Sequence, residues 1–216
     1  MYDGPGHAGQ GTRSPDAASV SDGILTINGD GDGTTAGMAW GTPRSTAGGR
    51  AASKPQRARR PTTHSSSCGP PQKNFPVGGE IDFMEIMSQE RDEVNVFLHY
   101  GEDNSQVQGK VEVDATEWHN WAVEWTPDGV TTFLDGEEWW KTTDTSILPP
   151  GPMHLCIQLD WFPEGKSDGG AGEMHVDWVK QWSYQDGDSA STDSEGSEGS
   201  TDEDSSTTLT DEQNNS

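Results

Sequence analysis

Cationic side chains are scarce in this chain. Its 216 residues include 13 Lys and Arg against 37 Asp and Glu, so the formal net charge is −24. Such a charge repels phosphate backbones, and we expect no nucleic-acid partner. High negative charge with little lysine also suits solubility at high salt, where counterions screen self-repulsion. A halophilic origin is therefore a hypothesis, and full stability and activity at low ionic strength would contradict it.

Long apolar runs and cysteine pairs are lacking as well. No stretch of about 18 apolar residues occurs, so we expect no membrane span. Residues 1–6 have neither the basic start nor the apolar stretch of a secretory signal. Cys156 lies in the apolar run at 153–157, which predicts a buried thiol, and no disulfide with Cys68 is expected.

Hydrophobic residues make up only 29% of the chain, and part of it is too polar to fold. Residues 185–216 contain ten Asp or Glu, no Lys or Arg, and one Leu. Burial there cannot offset the entropy of ordering, so we predict a domain over 1–184 and a disordered acidic tail over 185–216. The tail is either an inert linker or a stalk whose Ser and Thr carry sugars.

Short β patterns separated by turns recur along 1–184, and helical periodicity is absent. Residues 107–113 and 121–125 alternate apolar and polar side chains, as half-buried strands do. Asp135-Gly136 predicts a two-residue hairpin turn. These patterns predict an all-β fold, a jelly-roll sandwich of two antiparallel sheets.

Three carboxylates lie within six residues of the segment at 80–86, and its other residues are apolar. In a regular strand Glu80 and Asp82 share one face, and Met84 follows them. A β-bulge at Phe83-Met84 would return Glu85 to that face. A retaining glycosidase needs a carboxylate nucleophile and a carboxylic acid about 5–5.5 Å apart. The other interpretation of this acidic pattern is the solvated face of an amphipathic strand.

The neighbours of this segment favour the catalytic interpretation. The segment resembles the signature strand of glycoside hydrolase family 16, E-[IL]-D-x-x-E in its bulged, laminarinase-like branch. The similarity continues through the stretches at 76–79, 97–101, 118–127, 134–136 and 158–163, and more loosely through 2–40. The resemblance implies the jelly roll with a sugar-binding cleft on its concave face, with Glu80 as nucleophile, Asp82 as assisting carboxylate and Glu85 as general acid/base. It also implies a polysaccharide substrate and an extracellular location, and we expect a monomer.

Further substrate-binding candidates flank the acids. They are His99, Tyr100, Gln158, Asp160 and Trp161, with Trp161 as the best platform for a sugar ring. His99 is equally compatible with a structural role, and a buried hydrogen-bonding role is favoured for His119. No catalytic metal or other cofactor is expected. The acidic stretch at 29–33 predicts a turn, because it lacks the bidentate Glu of a calcium loop, and a structural calcium ion elsewhere stays open.

Residues 42–73 break the β pattern. They hold seven of the thirteen Lys and Arg, no acid, and no Val, Ile, Leu, Met, Phe, Trp or Tyr, so the sequence predicts no strand there. One interpretation is a basic disordered loop. A frameshift is the sharper hypothesis, since suitable codons for 45–50 and 64–70 give Tyr-Gly-Arg-Trp-Glu and Leu-Leu-Leu-Leu-Trp-Pro in one shifted frame, strings that resemble the family.

The spacing of the carboxylates and the resemblance to glycoside hydrolase family 16 together predict a retaining endo-glycosidase, and the resemblance implies a β-1,3- or mixed β-1,3/1,4-glucan as its substrate. Two alternatives stay open: a non-catalytic carbohydrate-binding jelly roll, which would bind glucan without cleaving it, and an inactive fragment produced by a damaged reading frame.

Overall fold

The computed structural model describes residues 1–44, 47–55, 63–69, 75–87, 90–161 and 170–184, with the backbone alone for 41–44, 47–55, 63–69 and 183. Its strands are β1 Gly4–Pro5, β2 Thr12–Arg13, β3 Ala18–Ser21, β4 Ile24–Gly29, β5 Thr34–Thr35, β6 Gly37–Arg44, β7 Ala47–Pro55, β8 Thr63–Gly69, β9 Glu80–Ile86, β10 Glu93–Tyr100, β11 Ser105–Glu112, β12 His119–Thr126, β13 Gly129–Leu134, β14 Glu137–Thr142, β15 Met153–Gln158 and β16 Gly172–Ser183. Short 3₁₀ turns occur at His7–Gly9, Pro15–Ala17 and Thr145–Ile147. The predicted acidic tail lies outside the described residues.

Two large antiparallel sheets form the fold. One has six strands in the order β11-β10-β9-β8-β15-β6, and the other has seven in the order β14-β13-β12-β7-β16-β4-β3. A small sheet, β1-β2-β5, holds the N-terminal segment. The hairpin between β13 and β14 turns at Asp135 and Gly136, both with positive φ (52° and 95°), as a tight hairpin turn requires. The predicted all-β jelly-roll sandwich is confirmed.

The hydrophobic core lies between the large sheets. Alternate residues of β12, Trp121, Val123 and Trp125, are buried and belong to the same cluster as Ile81 and Leu98 of the six-stranded sheet. This alternation is the one that the sequence predicted for 121–125. Among the described residues, no helix is long and apolar enough to cross a bilayer.

The prediction that no strand forms within 42–73 is wrong over β7 and β8. β7 pairs with β12 on one side and β16 on the other, and β8 pairs with β9 and β15. Ladder hydrogen bonds join backbone groups, so two flanking strands can pair with a segment whose side chains have low β propensity. The segments at 56–62 and 70–74 lie outside the described residues, and the frameshift stays a prediction.

The two adjacent tryptophans of β14 also depart from simple alternation. Trp140 is opposite Thr132, whereas Glu138 is opposite Phe133, so Trp139 occupies a bulge. Both indoles therefore pack against the core cluster, and Trp139 lies edge-on to Trp121. Adjacent residues of a regular strand would face opposite ways, so the bulge accounts for the shared direction of the two indoles.

Candidate active site

The strand that carries the three carboxylates is bulged where the sequence predicts it. Phe97 of β10 is opposite Asp82, and Asn95 is opposite Glu85, so three steps along β9 match two along β10. Phe83 and Met84 together face the single position between them on β10. The bulge absorbs one of these two residues and so returns Glu85 to the face of the sheet that carries Asp82.

This face of the six-stranded sheet points away from the core. Ile81 is fully buried in the core, and cross-strand pairs connect it to Leu98 on one side and, through Cys68, to Leu155 on the other. Residues one position along each strand lie on the opposite face, which we call the acid face. Glu80 and Asp82 lie on it.

His99 contacts the acids from the neighbouring strand. It is opposite Glu80 on β10, and its Nε2 lies 3.2 Å from Asp82 Oδ2. Its Nδ1 bonds to Asn104 Oδ1 at 2.9 Å. The two hydrogen bonds fix the plane of the ring. Both partners are oxygen acceptors, which suits a protonated imidazole because both of its nitrogens donate.

Burial and neighbouring charge set the protonation of this pair. Burial raises the pKa of Asp82 to about 7, Glu80 and Glu85 add to the rise, and the hydrogen bond from His99 opposes it. Burial alone would lower the pKa of His99, but its bond to Asp82 and the charge of Glu80 raise that pKa to about 9. Near neutral pH, the site therefore holds a cationic imidazole beside a carboxyl group that retains a proton readily.

The oxygens and nitrogen of Glu80, Asp82 and His99 lie within 4.8 Å of one another, close enough to share a cation. A protonated imidazole has no lone pair for a metal, so the raised pKa of His99 opposes that use. The arrangement instead suits proton sharing and charge stabilisation between two carboxylates and an imidazolium.

A scan against protein-family models matches residues 50–180 to Glycosyl hydrolases family 16. The chain belongs to this family. It is accordingly a glycoside hydrolase, as the three carboxylates of β9 indicate. A comparison with curated protein sequences found no match.

Solved structures show how widely the fold of this family 16 chain is shared. The laminarinase catalytic domain of Thermotoga maritima superposes with a TM-score of 0.73 at 16% identity, covering 86% of this chain and 91% of that one. A β-1,3-1,4-glucanase (lichenase) derived from a mouse hindgut metagenome has a TM-score of 0.68 at 20% identity, covering 82% and 89%. The endo-β-1,3-glucanase of Pyrococcus furiosus has a TM-score of 0.68 at 16% identity, covering 82% and 81%.

Two of the predicted substrate-binding residues of the family 16 chain are poorly placed for that role. Tyr100 follows His99 directly, so it lies on the other face of β10, where it packs against the core cluster. Asp160 is fully buried, and its Oδ1 accepts two hydrogen bonds from Arg13. These positions argue against direct contact of either residue with a sugar.

Besides His99, the remaining candidates are Gln158 and Trp161, and both are half-buried. Gln158 pairs with Gly37, and it lies on the acid face because Leu155 and Ile157 of the same strand belong to the core. Trp161 packs over Gly33, where an added Cβ would lie 2.8 Å from its ring. The predicted turn at 29–33 is present, with Asp30 Oδ1 accepting from two backbone amides. The stacking role of Trp161 stays a prediction.

Sequence reasoning missed three residues beside the acids. Phe75 and Phe97 lie 6.1 and 6.4 Å from the His99 ring, and Phe75 is 46% exposed. Asn104, the third, has a positive φ of 55° in the turn after β10. The cluster of Gly, Asp and Asn at 101–104 predicts this turn, but the bond from Asn104 to His99 needs the folded hairpin.

Proposed function

We propose that the chain is a retaining endo-glycosidase that hydrolyses internal bonds of a β-glucan, either β-1,3- or mixed β-1,3/1,4-linked. The observation that carries this is the bulged strand, which brings Glu80, Asp82 and Glu85 to one face beside His99. Laminarinases and a lichenase share the fold, which supports the substrate class.

The reaction has two steps. Glu80 attacks the anomeric carbon while Glu85 gives its proton to the leaving oxygen, which forms a glycosyl-enzyme. Glu85 then takes a proton from water, and the resulting hydroxide equivalent releases the sugar from Glu80 with its configuration retained.

Asp82 and His99 orient the nucleophile and stabilise the charges of the carboxylates during these steps. A carboxyl group whose pKa is near 7 can share its proton with Glu80, which orients the nucleophile before attack. His99 bonds to Asp82 from the neighbouring strand β10 and fixes that carboxyl group. Since a polysaccharide is too large to enter a cell, we expect the reaction to occur outside it.

Glu80→Gln and Glu85→Gln test the assignment, because neither amide can attack carbon or donate the required proton. We expect both variants to lose reducing-sugar release from laminarin and from mixed-linkage glucan, with circular dichroism unchanged. Proton NMR of the wild-type reaction should show the β-anomer forming first. Unchanged turnover in either variant, or an α-anomer as first product, would refute the mechanism, and glucan binding without cleavage by the wild type would identify a binding module.

A further inference from the structure

Three side chains from distant parts of the chain converge on Gly37. A Cβ added to this glycine would lie 3.0 Å from Tyr2 Cδ2, 3.1 Å from Gln158 Cβ and 3.6 Å from Arg13 Cδ. The backbone N–H of Tyr2 also donates to the Gly37 carbonyl at 2.8 Å. We call Tyr2, Arg13, Gly37 and Gln158 the Gly37 corner.

The Gly37 corner lies on the same face as the carboxylates. Gly37 pairs with Gln158, and Ala39 pairs with Cys156. Leu155, next to Cys156, belongs to the core side, so Cys156 and Gln158 belong to the acid face. The Tyr2 hydroxyl lies 3.2 Å from Cys156 Sγ, so its ring extends over this face.

The distance between the Gly37 corner and the carboxylates of β9 suits an extended oligosaccharide that contacts both. β15 is two strands from β9, and β6 is three strands away. With about 4.8 Å between strands, these offsets are roughly 10 and 14 Å. The pKa of Tyr2 is raised, mainly by burial, and it also responds to the charges of Arg13 and Glu80, so the phenol lies within electrostatic reach of both.

Arg13 is held on two sides. Its Nε and Nη2 donate to Asp160 Oδ1 at 3.0 and 2.6 Å, and its guanidinium lies over the Tyr2 ring, 5.7 Å from the centroid. Asp160 is fully buried, whereas the Arg13 side chain retains 15% exposure. Among the described residues, nothing accepts from Nη1 of Arg13, and this nitrogen is not sealed from solvent.

We propose that Arg13 is a specificity-determining residue of the cleft, whose Nη1 donates to a hydroxyl of a sugar residue that is removed from the scissile bond. Asp160 and Tyr2 position it, and Gln158 flanks the same glycine through its Cβ. This inference rests on the proposed glucan substrate. It also gives Asp160 an indirect part in substrate recognition, through the arginine it anchors.

Binding to a catalytically inactive background tests the proposal without turnover. In Glu80→Gln, calorimetry measures the affinity for laminari-oligosaccharides from the disaccharide to the hexasaccharide and for mixed-linkage oligosaccharides. Arg13→Lys keeps the positive charge beside Asp160 but has no guanidinium, so it loses the Nη1 donor. Arg13→Met combined with Asp160→Asn removes both charges and leaves no unpaired charge in the core. Lys141→Met, an exposed cation on β14 of the other sheet, is the control.

Loss of one charge-assisted hydrogen bond weakens binding by roughly 10- to 100-fold. We expect that loss in both Arg13 variants for the long oligosaccharides, no change for the disaccharide, and no change at any length in the control. On the active background, KM should rise with kcat unchanged. If only one of the two Arg13 variants folds, its affinity for the oligosaccharides is enough to test the proposal.

Two results would overturn the inference and leave the proposed function intact. One is a variant that binds the hexasaccharide as tightly as its parent, even with a lowered Tm, because a purely structural ion pair gives that outcome. The other is an equal loss for short and long oligosaccharides. A wild type that neither binds nor cleaves laminarin or mixed-linkage glucan would instead refute the proposed function itself.

Discussion

Replacing His99 by Asn removes the positive charge beside Asp82 and leaves a polar side chain at this position of β10. His99 donates to Asp82 at 3.2 Å and favours the ionised form of that carboxyl group. Without the imidazolium, the protonated form is favoured, and the pKa of Asp82 rises above about 7. A hydrogen bond to a charged group contributes about 1.5–3 kcal/mol, so the rise should be about 1–2 pH units.

The pH dependence of kcat/KM reports this change. If a protonated Asp82 orients Glu80, activity falls as pH rises through the pKa of Asp82, and the alkaline limb of the variant lies about 1–2 units higher than that of the wild type. The value of kcat should fall as well, because the carboxyl group loses its anchor. NMR titration of the Asp82 side-chain carbon measures the same pKa directly.

His119→Asn is the matched control. His119 Nδ1 bonds to Asp135 Oδ2 at 2.8 Å, which is another histidine–aspartate pair, but it lies on the seven-stranded sheet. Its Nε2 bonds to a backbone carbonyl, in line with the hydrogen-bonding role expected from the sequence. The control should leave the pH profile unchanged. An alkaline limb of His99→Asn that stays in place or moves to lower pH would refute the reasoning.

Two further predictions concern the scaffold. Gly33→Ala should lower the free energy of unfolding by roughly 1–3 kcal/mol more than Gly136→Ala in urea titrations, because the two glycines have similar φ (92° and 95°) but only the first would place a Cβ against Trp161. Equal losses would show that the Trp161 contact is absent. The coding DNA of residues 45–70 should yield Tyr-Gly-Arg-Trp-Glu and Leu-Leu-Leu-Leu-Trp-Pro in one shifted frame, and sequencing that lacks these strings ends the frameshift hypothesis.

Local pattern was enough to predict the bulged strand that carries the three carboxylates. The alternation of acids with apolar residues required a bulge at Phe83-Met84 if Glu85 was to share a face with Asp82, and the β9–β10 register has it there. The hairpin at Asp135-Gly136 was also predictable from local sequence. A two-residue hairpin turn needs positive φ at both positions, which Asp-Gly adopts readily, and both residues have it. Both depend on residues within one or two strands.

Contacts between distant segments were not predictable. Arg13 and Asp160 are 147 positions apart, and no periodicity links them. The bond between His99 and Asp82 depends on the pairing of β9 with β10, which sequence spacing alone does not give. The strands at 47–55 and 63–69 form by backbone pairing with neighbours, whereas the sequence pattern reports side chains only.

The bulge in β9 has a consequence for how such a strand tolerates length change. Removing Met84 would place Glu85 two positions after Asp82, and a straight strand would then present all three carboxylates on one face by alternation alone. The extra residue is therefore not required to bring the three carboxylates to one face. That residue sets how far β10 is offset along β9, so a length change at this one position would shift the pairing of β10 while Glu80, Asp82 and Glu85 stay on one face.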